Sequence, residues 1–182
     1  MNVPSNYFMA DLHLGHANVI KFDKRPFKDV IEMNSTILTN IEETLREGDN
    51  FYFLGDFSFT SDTMSKVFMR RIAATKAHLF FIRGNHDKKD TIKLYAEYGT
   101  YLGEQKTVTI NEQVIVLNHY RMDVWDRSHY GSWHLHGHSH QMLPPRPHKV
   151  IDVGCMGYNY FPVEFGEIKK IMDGKEQMKH HA

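Results

Sequence analysis

A single cysteine, Cys155, among 182 residues has no internal disulfide partner. The fold therefore has to rest on its hydrophobic core, and a reducing, cytoplasmic setting is expected. No stretch approaches the roughly 18 consecutive apolar residues of a membrane span. The opening Met-Asn-Val-Pro-Ser-Asn-Tyr lacks the basic start and apolar core of a secretory signal. Charge of one sign is not in excess either. Lys+Arg and Asp+Glu each total 22, which removes the global electrostatic case for a dedicated nucleic-acid or membrane binder. Linkers, low-complexity stretches and internal repeats are missing as well, so residues 1–182 read as one domain.

What the chain does have is thirteen histidines, the commonest transition-metal ligand and the usual proton carrier near neutral pH. Their placement follows the expected secondary structure. The apolar runs 7–10, 51–54 and 78–82 read as buried strands, and each ends in polar residues: Asp11-Leu12-His13, Gly55-Asp56 and Gly84-Asn85-His86-Asp87. Between them, helical spacing predicts helices from 34 or 35 to about 47, from 62 to about 72, and from 88 to 98. Strands alternating with helices favour an α/β architecture with a largely parallel sheet, whose carboxyl ends gather functional groups. Residues 101–110 and 113–118 read as a hairpin turning at Asn111-Glu112, residues 135–140 and 149–153 as further strands, and Pro162 as the start of a last helix. The two long irregular regions, 17–33 and 119–133, flank the histidine-rich strand ends, and long loops in compact domains tend to be functional.

The metal-competent residues are Asp11, His13, Asp56, Asn85, His86, His119, His138 and His140. Residues two apart on a strand share a face, so alternation along a strand would bring Asp11 together with His13, and His138 together with His140. Mixed oxygen and imidazole ligands suit manganese, iron, zinc, cobalt or nickel, and seven such ligands fit two ions better than one. A closed structural zinc site would want several cysteines.

In this order, Asp-x-His, Gly-Asp, Gly-Asn-His-Asp, an isolated His and Gly-His-x-His, spread from Asp11 to His140, resemble the calcineurin-like metallophosphoesterase superfamily. The stretch Asp11-Leu-His13-Leu-Gly-His16-Ala-Asn18, followed by Phe22 and Arg25-Pro26-Phe27, resembles a small bacterial and phage branch of predicted phosphoesterases. The resemblance implies a metallophosphoesterase-like β-sandwich of two mixed sheets flanked by helices. It implies that Asp11, His13 and His140 hold one divalent transition metal, that Asn85, His119 and His138 hold the other, and that Asp56 bridges them. Manganese is favoured, with iron, zinc, nickel or cobalt as alternatives. It also implies hydrolysis through a metal-bridging hydroxide, with His86 assisting at the phosphate or leaving group. Asp87 or Asp11 is then expected to orient His86.

Departures narrow the substrate. Gly55-Asp56-Phe57-Ser58-Phe59 lacks the Asp-Arg-Gly continuation of protein serine/threonine phosphatases, and Phe59 stands where a carboxylate is familiar. The expected activity is a phosphodiesterase acting on a small nucleotide-type or cyclic phosphodiester. A phosphomonoesterase or a nuclease is the enzymatic alternative, and a non-catalytic metal-binding scaffold the alternative of another class. Nucleic acid is possible as a partner but not favoured, and oligomeric state is open. Arg121, Arg25 and Arg83 are candidate substrate-binding residues, each beside a ligand block or in an associated loop. Trp125 and Trp133 are expected to pack the 119–133 loop. His16 and Asn18 are expected to support the ligands, and His134 and His136 to share their face. His78, His129, His148, His180 and His181 are read as ordinary residues.

Overall fold

The computed structural model describes residues 3–179; His180 and His181 lie outside that range. In chain order the elements are β1 (Asn6–Met9), α1 (Ala17–Phe22), α2 (Val30–Thr44), β2 (Asn50–Phe53), α3 (Asp62–Ala73), β3 (His78–Ile82), α4 (Lys89–Tyr98), β4 (Thr100–Gly103), β5 (Gln105–Ile110), β6 (Gln113–Asn118), β7 (Trp133–His136), β8 (Val150–Asp152), β9 (Val163–Glu164) and α5 (Phe165–Asp173). They build two mixed sheets. One has the order β4-β3-β2-β1-β9 and the other β5-β6-β7-β8. Strands β1 to β4 run parallel, with β9 antiparallel at the edge. In the second sheet the β5–β6 hairpin is antiparallel and β6, β7 and β8 are parallel.

The first sheet is covered on both faces, which is why its strands read as nearly continuous apolar runs. Phe8, Tyr52, Leu54 and Ile82 face the second sheet and pack with Ile115, Leu117, Trp133 and Leu135. Met9, Phe51, Phe53 and Phe81 point the other way, onto Ile37, Leu38 and Ile41 of α2, Phe68, Met69 and Ile72 of α3, and Leu94 and Tyr95 of α4. This α/β sandwich agrees with the expected architecture, and the sheet places the carboxyl ends of β1, β2 and β3 side by side.

Several boundaries differ from those read in the sequence. Helix α2 begins at Val30 because Asp29 caps it, accepting from the Glu32 amide at 2.8 Å while the Glu32 carboxylate reaches back to the Lys28 amide. It ends at Thr44, where Leu45 turns to extended dihedrals and buries itself. The expected irregular stretch 17–33 contains α1. The run 101–110 is divided between the sheets: β4 pairs with β3 and β5 pairs with β6, with the break at Gly103. The hairpin turn lies where expected, Asn111 and Glu112 both taking the positive φ of a primed turn. The last helix starts at Phe165, since Val163 and Glu164 first pair with Phe8 and Tyr7.

The outer face of the second sheet carries Val116, His134 and Val150 under Trp125. The His134 ring is fully used. Its Nδ1–H donates to the Val116 carbonyl at 3.1 Å, and its Nε2 accepts the Met122 amide at 3.0 Å. Burial, opposed only in part by the hydrogen bond to the Val116 carbonyl, pushes its pKa down to about 4. The folded state therefore binds this proton less readily than the unfolded chain. The associated stability is intact above the ordinary histidine pKa of about 6.5 and drains away as pH falls toward 4, with a limiting slope of about 1.4 kcal/mol per unit. In urea unfolding, wild type should lose up to about 2 kcal/mol more than His134→Gln between pH 7 and pH 5; equal losses would remove His134 as the cause.

Candidate metal centre

Seven side chains converge at the carboxyl ends of β1 and β2 and in the loops after β3, β6 and β7. Asp11, His13 and His140 present one donor atom each, all within 4.8 Å of one another, and Asp56, His119 and His138 form a second such group. The Asn85 Oδ1 lies 2.9 Å from His119 Nε2 and 2.9 Å from His138 Nδ1, completing the second group. Asp56 sits between the two. Its Oδ2 is 3.7 Å from His13 Nε2 and 3.4 Å from His119 Nε2, while its Oδ1 accepts the His86 amide at 2.9 Å.

The convergence does not come from alternation along a strand. β1 ends at Met9 and β7 at His136, before either ligand pair. Asp11, His13, Asp56, His138 and His140 instead take left-handed backbone conformations, with φ of 60°, 51°, 62°, 65° and 45°. Each such residue costs of the order of 1–2 kcal/mol. Neighbouring strand ends hold them there: Asp11 N donates to the Gly55 carbonyl, His13 N to the Asp56 carbonyl, and His138 N to both oxygens of Asp11. Two glycines make room. A Cβ on Gly84 would meet Asp56 N at 2.4 Å, and one on Gly137 would meet Asp11 Oδ2 at 2.8 Å.

The donor chemistry fits divalent cations. Asp11, His13, Asp56 and His119 are almost completely buried. Burial raises the Asp11 carboxyl to about 7 despite its histidine neighbours and lowers His13 to about 3 despite Asp56. His13 and His140 bring their Nε2 atoms to 2.9 Å, and His13 Nδ1 is buried without a hydrogen-bond partner. A carboxylate that is costly to charge, as Asp11 is, and an imidazole kept neutral, as His13 is, are what a shared cation would stabilise.

The supporting groups were mostly not legible in the sequence. Asp23 bonds His140 Nδ1 at 2.8 Å and Arg25 Nε at 3.2 Å, leaving His140 Nε2 for the donor group. The Leu54 carbonyl does the same for His119 Nδ1 at 2.7 Å. Asp152 at the end of β8 accepts from Ser139 Oγ and Gln141 N and so ties down the loop that carries His138 and His140. Asp23 had a weak signal, two residues from the arginine singled out in its loop. Asp152 ends a strand in a carboxylate, as Asp56 nearly does.

Arg25 is not at a substrate surface. Its guanidinium is buried and donates to the carbonyls of Leu12 at 2.9 Å and Asp11 at 3.0 Å, so it braces the Asp11 loop from beneath. Arg121 donates to the Pro144 carbonyl and lines a pocket with His136 and Asp152 rather than one containing a ligand residue. Arg83 pairs with Glu104 at 2.8 Å and lines a recess with Gly84, Asn85, Asn118 and Tyr120, beside the second donor group. Trp125 and Trp133 are buried, as expected of packing residues.

Among the described residues no carboxylate orients the His86 ring. Asp11 spends its oxygens on His138 N. Asp87 is buried and accepts from Gly84 N, Asp56 N, Phe57 N and Tyr95 Oη. The exposed His86 ring lies against Phe59, ring centroids 4.7 Å apart, and 5.7 Å from the His13 ring. His16 stacks on the far side of Phe59 at 4.3 Å.

The molecule is thus a two-sheet α/β sandwich with two adjoining oxygen and imidazole donor groups at its strand ends, each able to hold a metal ion. Residues 7–163 match the model of the calcineurin-like phosphoesterase superfamily domain, and the chain belongs to that superfamily. By class it is a hydrolase of phosphoesters with donor groups for divalent metals. It is 30% identical to the uncharacterized protein MJ1445 of Methanocaldococcus jannaschii, over 95% of this chain and 94% of that one. Its fold is similar to that of a protein of unknown function, AQ665 from Aquifex aeolicus, with a TM-score of 0.74 and 22% identity, covering 93% of this chain and all of the other. Among the described residues no helix is long and apolar enough to cross a membrane.

Proposed function

We propose that this chain is a dinuclear metal-dependent phosphodiesterase that acts on a small nucleotide-type phosphodiester, with manganese the favoured metal and the cytoplasm its setting. The observation that carries the reading is the shared Asp56: its Oδ2 lies within 4 Å of imidazole nitrogens from both donor groups. Asp11, His13 and His140 would hold one ion, Asn85, His119 and His138 the other, and Asp56 both. When bound, such a pair of cations makes water a better nucleophile near neutral pH and neutralises phosphoryl oxygens.

The protein supplies the rest. Asp11 and Asp56 contribute the negative charge, while Asn85 offers a neutral carbonyl on the exposed side, so that an anionic phosphate does not meet a third carboxylate. The exposed His86 imidazole is suited to deliver a proton to the departing alkoxide, the step a diester with a poor leaving group needs most. No serine or cysteine nucleophile is required, and the one thiol is unsuited to attack, since Cys155 is buried and its pKa is pushed up to about 12.

The test is turnover of aryl mono- and diesters and of cyclic and linear nucleotides by the purified protein supplied in turn with manganese, iron(II), zinc, cobalt and nickel. Preference for diesters supports the proposal. Preference for monoesters, or no turnover with two ions bound per chain, overturns it. In the same assay His86→Ala should keep both metals and slow cleavage by about 10² to 10⁴; loss of metal from that variant would assign His86 to coordination instead.

A further inference from the structure

Of the groups around the centre, the His86 ring is the least restrained by polar contacts. Its backbone amide is tied to Asp56 Oδ1 at 2.9 Å. Among the described residues its ring nitrogens have no hydrogen-bond partner, and the residue is exposed. An exposed side chain with free torsions spreads over several staggered rotamers, whereas a proton donor has to come within about 2.6–3.2 Å of the atom it serves. A ring with that task needs a support other than a hydrogen bond.

Phe59 supplies one. Its ring lies against that of His86 with centroids 4.7 Å apart, and against its other side His16 is stacked at 4.3 Å and 23°. The His13 ring stands beside both, 5.4 Å from Phe59 and 5.7 Å from His86. Phe59 is anchored through its backbone. Its amide donates to the Leu14 carbonyl at 2.8 Å and the Leu14 amide donates back to the Phe57 carbonyl at 3.0 Å, a short parallel bridge that ties residues 57–59 to the segment carrying Asp11 and His13. His16 is packed in turn by Phe22, edge-on at 6.2 Å. At 40% exposed and with an imidazole on each side, Phe59 is neither core filler nor a free face for a ligand.

We infer that Phe59, backed by His16, is the positioning residue of His86, limiting its imidazole to rotamers that keep it beside His13 and the shared Asp56. The free energy of one aromatic pair favours a single rotamer by about two- to tenfold. This rests on the reading of His86 as a proton donor and adds to it the group that directs the proton. A ring does so without charge, whereas a carboxylate at residue 59 would bring further negative charge toward an arriving phosphate.

Nuclear magnetic resonance reads the positioning without turnover. In the zinc-loaded protein with isotope-labelled histidine, the His86 ring signals are assigned by their absence from His86→Ala. They should be displaced from free-histidine positions by the ring current of Phe59 and should report one χ1 rotamer. Phe59→Ala should abolish the displacement and average the rotamers with zinc content unchanged, and Phe59→Tyr should restore both. In kinetics on the favoured nucleotide substrate, Phe59→Ala should lower kcat by about three- to tenfold with KM nearly unchanged, the range of the lost rotamer preference. His16→Ala should do the same to a smaller extent. In a His86→Ala background, Phe59→Ala should cost nothing further. Ring signals unmoved by Phe59→Ala, or an equal kcat loss in the His86→Ala background, overturns the positioning. A loss of the same size on bis(4-nitrophenyl) phosphate, whose leaving group departs without a proton, leaves Phe59 as the support of His86 and overturns proton donation instead. Monoester preference, with ring signals and background dependence as expected, overturns only the diesterase.

Discussion

Asp56→Asn is expected to reduce bound metal from two ions per chain to one or none and to lower turnover by more than about 10²-fold, the upper range found for residues that merely support a metal ligand. The substitution is nearly isosteric, and an amide oxygen can still accept the His86 amide that Oδ1 now accepts at 2.9 Å. What disappears is a negative charge at an oxygen 3.7 Å from His13 Nε2 in one donor group and 3.4 Å from His119 Nε2 in the other. Asp56 is 1% exposed, so water cannot substitute for the lost charge, and two cations would then have to share a site with Asp11 as its only anionic ligand. Inductively coupled plasma mass spectrometry together with the diester assay measures both effects. Two ions bound and near wild-type turnover at saturating manganese would remove Asp56 from its shared position.

Asp87→Ala is expected to have the largest effect on stability, about 3 kcal/mol or more. The Asp87 carboxylate is the meeting point of two ligand loops. Its Oδ2 accepts from Gly84 N at 2.8 Å, Asp56 N at 3.0 Å and Tyr95 Oη at 2.9 Å, and its Oδ1 from Phe57 N at 3.0 Å. Truncation leaves these donors buried and unpaired, at about 1–3 kcal/mol each, and the costs are not fully additive. Urea unfolding in the presence of a chelator isolates this effect from metal binding. Asp87→Asn keeps the volume and one acceptor and should recover part of the loss. A destabilisation below about 1 kcal/mol would mean that the loops hold their approach without the carboxylate. Metal binding should weaken in both variants, because Asp56 and Asn85 sit on the loops that Asp87 joins.

These two residues show how far the sequence could be read. Asp56 was legible as a candidate ligand because chemistry restricts what a metal accepts: a carboxylate, an imidazole or an amide oxygen, delivered at the end of a buried strand. Its neighbour Asp87 was legible only as a carboxylate near His86. Its actual partners, three backbone amides and a tyrosine hydroxyl, lie up to 31 residues away, and nothing in local spacing points to them. Arg25 makes the same point in reverse. An arginine in a loop is usually a surface residue, yet this one is folded beneath Asp11 and Leu12 because their carbonyls, turned inward by left-handed backbone, need donors that water cannot reach.

Phe59 is the sharpest case. Its place in the chain, three residues after Asp56, marks it as a departure from a familiar carboxylate. That it fills the position with a ring between His86 and His16 is visible only once the chain is folded. The helix boundaries behave alike. Apolar periodicity located α2, but its start at Val30 was set by a cap that satisfies backbone amides, and the start of α5 by strand pairing to β1.

By itself the sequence determined which atoms are available to bind metal, their order along the chain and the alternation of strands and helices that carries them, because ligand chemistry and hydrophobic period are local properties. Only the tertiary structure decided how they meet. Left-handed turns after β1, β2 and β7, close approach at two glycines, and the carboxylates of Asp23, Asp87 and Asp152 bring the donors together, and these depend on hydrogen bonds between segments that become neighbours only when the two sheets and their helices bury a common core.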